Sequence, residues 1–126
     1  MDTRVMCNRD ELLSLLEEFL SYPLNDGTAI LDRFAALPAA VTGQGKHPME
    51  RFVYIPGTRK DRILLMVHVD TVWDQHYDHA QLGDHPVFTS DRVTGSSPDA
   101  GLGADDRAGC AVLLSLAKTV PQYDVT

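Results

Sequence analysis

Apolar positions near the start of the chain recur at helical spacing. Leu12, Leu13, Leu15, Leu16, Phe19 and Leu20 make one wide face. Asn8 stands before it as a cap acceptor, with Glu11 three residues on as a capping-box variant whose carboxylate reaches back. The run closes at "SYP", because the residue before Pro23 avoids helical geometry. A second, shorter helical pattern carries Ile30, Leu31, Phe34 and Leu37 between "NDGT" and Pro38. The stretch that follows, "AAVTGQGKHPME", reads as a loop.

The period then changes. "RFVYIPG" alternates and ends at Pro56-Gly57, and "TRKD" connects it to "RILLMVHVDTV", so the two predict a hairpin. Its second member is apolar on both faces from Ile63 to Val67, which is the pattern of a central strand covered on both sides. From Trp73 to Asp99 the chain is polar and irregular except for "PVFTSDRVTG", whose two ends predict short strands. "DDRAGCAVLLSLAKTVP" predicts a helix with Ala108, Val112, Leu113, Leu116 and Ala117 inward, ended before Pro121. "QYDVT" then reads as the beginning of a strand. No internal repeat or low-complexity run interrupts this order, and the alternation of helix and strand predicts an α/β fold.

Composition sets limits on that picture. With 126 residues, 44% of them hydrophobic, the chain can fill one core and not two. A net charge of -7, with no Lys/Arg-rich run to offset it, repels a phosphate backbone and argues against nucleic acid. The N-terminal segment carries acids where a secretory signal needs a basic start and an unbroken apolar run, and no stretch is long enough to span a bilayer. The expectation is a cytoplasmic chain without a membrane partner. Cys7 and Cys110 give no support to a disulfide framework, and Cys110 reads as a small buried apolar residue.

The chemistry lies in "LLMVHVDTVW" and "GLGADDRAG". Residues two apart on a strand share a side, so His68 and Asp70 project together at the carboxyl end of the central strand, where open α/β sheets bind ligands. A neutral imidazole is a good zinc ligand, and a carboxylate beside it can hold the other ring nitrogen and fix the tautomer. In the second stretch, glycines allow a tight turn before Asp105 and Asp106 open a helix. One acid can cap that helix while the other points at a cation. Each feature has a plainer reading, as an ordinary histidine at a strand end and as an aspartate cap. Their order on a strand, loop and helix favours the joint one. His76, His79 and His85, beside Asp74, Asp78 and Asp84, read as a solvated loop because nothing fixes their mutual geometry. Trp73 fits either core filler or a cleft wall.

"HVDTV" followed by "GLGADDRAG" resembles the paired motifs of the dinuclear-zinc exopeptidases and amidohydrolases, a group that includes tripeptide aminopeptidase, glutamate carboxypeptidase and acetylornithine deacetylase. The resemblance covers nearly all of residues 1–126. It implies part of a three-layer α/β/α catalytic domain with a mixed central sheet, two zinc ions as cofactors, and hydrolysis of an amide bond in a peptide or N-acyl amino acid. Carried over residue by residue, His68 matches a ligand of one zinc, Asp70 the catalytic acid that supports that site, and Asp105 the carboxylate bridging both metals. Asp106 matches a neighbouring position that is not a ligand.

The family pattern also has a Glu-Glu pair after the strand that would begin near Tyr123, then a further acidic ligand and a C-terminal histidine. None of these falls within a chain ending at Thr126. The reading is therefore the N-terminal part of a catalytic domain, inactive alone, whose partner is a missing C-terminal half or a second copy. Two alternatives stand beside it: a non-catalytic metal- or partner-binding module, and a decayed fragment that keeps half of a zinc site.

Overall fold

The computed structural model describes residues 8–47, 49–58, 60–61, 63–72, 85–97 and 101–119. Among these are helices α1 (Arg9–Ser21), α2 (Thr28–Ala35) and α3 (Ala104–Thr119), and strands β1 (Val41–Gln44), β2 (Arg51–Tyr54), β3 (Pro86–Phe88) and β4 (Val93–Gly95). The fold is mixed α/β, with the strands forming two separate antiparallel pairs, β1 with β2 and β3 with β4. No helix among the described residues is long and apolar enough to cross a membrane.

The first helix follows its sequence signals. The Asn8 side chain accepts from the amides of Asp10 at 2.9 Å and Glu11 at 3.4 Å, which satisfies two donors that the first turn leaves without partners. The Glu11 carboxylate does not reach back to the Asn8 amide among the described residues; its Oε1 instead accepts from Lys118 Nζ at 2.9 Å and ties the start of α1 to the end of α3. Leu15, Phe19 and Leu20 are buried, while Leu13 lies at the edge of the apolar face and stays exposed. In α2, Ile30 and Phe34 are buried, as their spacing requires.

Three expectations are corrected. The segment read as a loop contains β1, and β2 pairs with it in the register Val41↔Tyr54 to Gln44↔Arg51 rather than with the segment after "TRKD". The β1–β2 turn is closed by Gly45 N donating to Glu50 O at 2.7 Å and Glu50 N donating to His47 O at 2.9 Å. The β-branched Val41 and Thr42 suit a pleated surface, but the Gly- and Pro-rich context around them hides that signal.

The second correction concerns Ile63–Val67, expected as a covered central strand. These residues belong to no strand, and Ile63 is 88% exposed and Met66 78%. Further along, Val67 and Val69 do pack on the core while His68 stays exposed, so the alternation of a strand is kept there.

The third is the phase of α3. Its buried residues are Arg107, Cys110, Ala111, Leu114 and Ser115, which recur at helical spacing on a face rotated from the predicted one; of the predicted set, Leu113 packs against the core from its edge and Val112 is exposed. An arginine, a cysteine and a serine on the inward face carry little weight in a hydrophobic pattern. The small side chains at 110, 111 and 115 let α3 lie close along α1, and Arg107 is held inside for a reason taken up below. The core is Leu15, Phe19, Ile30, Phe34, Cys110, Ala111 and Leu114, with Val53 and Ile55 of the β2 region and Val67 and Val69 packed against it.

The strands expected at the two ends of "PVFTSDRVTG" are β3 and β4, paired in the register Pro86↔Gly95 to Phe88↔Val93. Trp73, His76, His79, Asp74, Asp78 and Asp84, and the strand expected at "QYDVT", lie outside the described residues.

Candidate metal site

The segment Ile63–Val72 carries His68 and Asp70 outward while Val67 and Val69 anchor it to the core. The start of α3 carries the acids. Asp105 and Asp106 have non-helical backbone angles, with a cis peptide between them, and the regular helix begins after them. Asp106 Oδ1 accepts from Gly109 N at 3.1 Å and caps that helix. Asp105 turns away, toward the histidine. The cap is the role expected of one acid of the pair.

His68 joins the two elements. Its Nδ1 lies 2.9 Å from the Asp70 carbonyl oxygen and 3.1 Å from Asp70 Oδ1, and its Nε2 lies 3.1 Å from Asp105 Oδ1. The structure thus brings His68, Asp70 and Asp105 together across a separation of 37 residues. Both neighbours of Nδ1 are acceptors, so Nδ1 carries a proton and donates. Nε2 donates to Asp105 as well when the ring is protonated. Partial desolvation pulls the pKa of His68 down, but bonds to the Asp70 carbonyl, the Asp70 carboxylate and Asp105 push it up by more, and the net shift is upward.

The same contacts suit zinc. Proton donation from Nδ1 to Asp70 fixes the tautomer in which Nε2 has a free lone pair, the arrangement in which a carboxylate holds a metal-binding histidine. Two ligands of one tetrahedral zinc ion lie about 3.4 Å apart, given metal–ligand distances of about 2.0–2.2 Å. The observed 3.1 Å between Nε2 and Oδ1 therefore needs to open by only a few tenths of an ångström. Asp105 Oδ2 has no hydrogen-bond partner among the described residues, which leaves it available to a second cation.

The donor set is small. Among the described residues no group of three or more His, Cys, Asp or Glu is placed to hold a metal ion. The side chains of Asp70 and Asp105 are 89% and 94% exposed, so water weakens both charge interactions with His68. Of the loop histidines, only His85 is described; its backbone N–H donates to Ser96 Oγ and its carbonyl accepts from Ser96 N, which ties it to the β3–β4 hairpin.

Two contributors to the site were missed in the sequence. Cys110 is buried as expected, but its thiol also donates to the His68 carbonyl at 3.2 Å and so pins the histidine's backbone to α3. Burial first, and the nearby Asp106 second, push that thiol's pKa up to about 12. The other is Arg107, fully buried beside the acid pair. Its signal was available, because Arg107, Cys110, Ala111 and Leu114 share one helical face, but only to a reading that lets an arginine point inward.

Comparison with known proteins adds no assignment to this geometry: no family model matches the chain, nor does any curated protein or solved structure.

Proposed function

We propose that the chain supplies half of a zinc-dependent amidohydrolase or exopeptidase site, as the N-terminal part of an α/β/α catalytic domain acting on a peptide or an N-acyl amino acid. The observation that carries this reading is the convergence of His68, Asp70 and Asp105 at a spacing suited to one zinc ligand pair. His68 would supply Nε2 to a zinc ion, Asp70 would hold Nδ1–H, and Asp105 would supply its carboxylate to the metal site. When bound, zinc supplies Lewis acidity toward an amide carbonyl and a nucleophile at neutral pH. This chain's residues hold and orient; among those described, none beside the site is placed to shuttle the proton.

Two donors among the described residues fall short of the about three protein ligands that hold a catalytic zinc ion. The remaining ligands then come from outside the described residues. The apolar segment Ile63–Met66 supports the reading of a partial domain, because its four exposed side chains and a backbone unpaired among the described residues suit burial beneath further strands. Co-expression with the adjoining coding sequence, followed by zinc loading, is expected to give hydrolysis of small peptides or N-acyl amino acids that a chelator abolishes. Absence of hydrolysis across both substrate classes, in a folded zinc-loaded product, contradicts the enzyme reading. Binding to a separate polypeptide through Ile63–Met66 without hydrolysis would favour the module reading.

A further inference from the structure

We infer that Arg107 is a positioning residue, which sets the separation of His68 and Asp105 by clamping the turn Tyr22–Gly27 between the two elements that carry them. The inference deepens the zinc reading above but stands on packing alone. Arg107 follows the acid pair directly, and its side chain is fully buried. Its Nη1 donates to the carbonyls of Tyr22 at 2.6 Å and Phe19 at 3.4 Å, and its Nη2 to those of Pro23 and, at 3.5 Å, Asp26. These oxygens belong to the last turn of α1 and the chain just beyond it, the negative pole of that helix, where a cation is favoured. The guanidinium thus fixes the start of α3 to the end of α1.

The same turn touches the segment bearing the histidine. Gly27 lies so close to Val69 that a Cβ there would come within 2.6 Å of Val69 Cγ2, and Val69 stands between His68 and Asp70. The turn also touches the approach to Asp105. Gly103, at φ +75°, packs under Leu24, and a Cβ at Gly103 would lie 2.5 Å from Leu24 Cδ2 and 3.4 Å from Thr71 Cγ2. The histidine-bearing segment, the turn and the helix start are therefore wedged together, with Arg107 as the tie.

An apolar side chain would fill the α1–α3 interface more cheaply. Burial disfavours the charge on Arg107, and its Nε has no hydrogen-bond partner among the described residues. What an apolar residue does not supply is a planar fork reaching two consecutive carbonyls. Asp105 lies two residues from that fork, so a displaced helix start moves the carboxylate relative to His68.

The test uses Arg107→Met in the full chain, with nitrogen-15 resonances of the His68 ring recorded without metal at one pH, and zinc titrated alone by calorimetry. Ring resonances that move to those of Asp105→Asn, with helical circular dichroism retained, are the expected result. Zinc affinity is expected to fall about 10- to 100-fold, the usual effect of losing an outer support of a metal ligand. A folded Arg107→Met with the original ring resonances overturns the inference, because a purely structural role lowers stability and leaves the site as it was. Should that variant not fold, Leu24→Ala, which loosens the turn at Gly103, is expected to shift the same resonances by less. Unchanged resonances there overturn it equally. Shifted resonances in a protein that binds no zinc support the clamp and remove the zinc reading.

Discussion

The helical interface and the segment Ile63–Val72 are both rich in aliphatic residues, yet one is packed and the other largely bare. Phe19, Ile30 and Leu114 are buried against each other across three helices. Ile63, Leu64, Leu65 and Met66 face solvent, and no hydrogen bond engages their backbone among the described residues. The difference follows from what each element needs. A helix satisfies its own backbone and requires one apolar surface to lie on, which α1, α2 and α3 provide for one another. A central strand requires a neighbour on each edge and a layer on each face. Val67 and Val69 find such a layer in the helices, and the residues before them do not. The site sits at the boundary between these regimes, with His68 on the segment and Asp105 on the packed helix.

The sharpest way to break this comparison is truncation in each region. Phe19→Ala is expected to cost about 3–5 kcal/mol and Leu114→Ala about 2–5 kcal/mol by urea unfolding, because both open a cavity. Met66→Ala is expected to fall within about 0.5 kcal/mol, as for other exposed positions. A loss at Met66 comparable to that at Leu114 would mean the segment is covered in the isolated chain. At the other end of the packed region, Asn8→Ala removes the acceptor for two amides and is expected to cost about 1 kcal/mol in the same assay.

Cys110 sharpens the comparison without any change in sequence. With its thiol buried and its pKa pushed up to about 12, Cys110 in the folded Cys7→Ser chain is expected to react with a thiol reagent at pH 8 only as fast as α3 opens. Rapid labelling of Cys110 under native conditions would show that the α1–α3 interface is no tighter than the bare segment.

The smallest effect is on pH dependence. The folded pKa of His68 is raised, so its stabilising contribution is complete below the ordinary value of about 6.5 and is lost as pH rises through the folded value. The metal-free chain is therefore expected to melt slightly lower at pH 8 than at pH 6, and Asp105→Asn is expected to shrink that difference. Because zinc requires the deprotonated Nε2, its binding is expected to strengthen over the same interval. Parallel trends for melting and zinc affinity would show that the two do not share this ring.

What was legible in the sequence divides along similar lines. The start and stop of α1 were readable because Asn8 and Pro23 act through local geometry alone. The convergence of His68 with Asp70 was readable from the period of a strand, and the split roles of Asp105 and Asp106 from the needs of a helix start. The pairing of β2 was not, because the choice between β1 and the segment after "TRKD" is made by packing, and the "TGQG" context disguised Val41 and Thr42 as loop. The phase of α3 failed for a related reason. Its inward face is set by the carbonyls at the end of α1 that Arg107 satisfies, a tie spanning more than 80 residues that no local pattern records.

The most direct test of the central claim is zinc titration of the metal-free chain by calorimetry, set beside His68→Ala and Asp105→Asn at pH 7.5. The account predicts weak binding by the parent chain that is abolished by His68→Ala and reduced by Asp105→Asn, with the fold of all three proteins intact. Zinc binding of equal strength in the parent and in His68→Ala, or none in any of them, would contradict it.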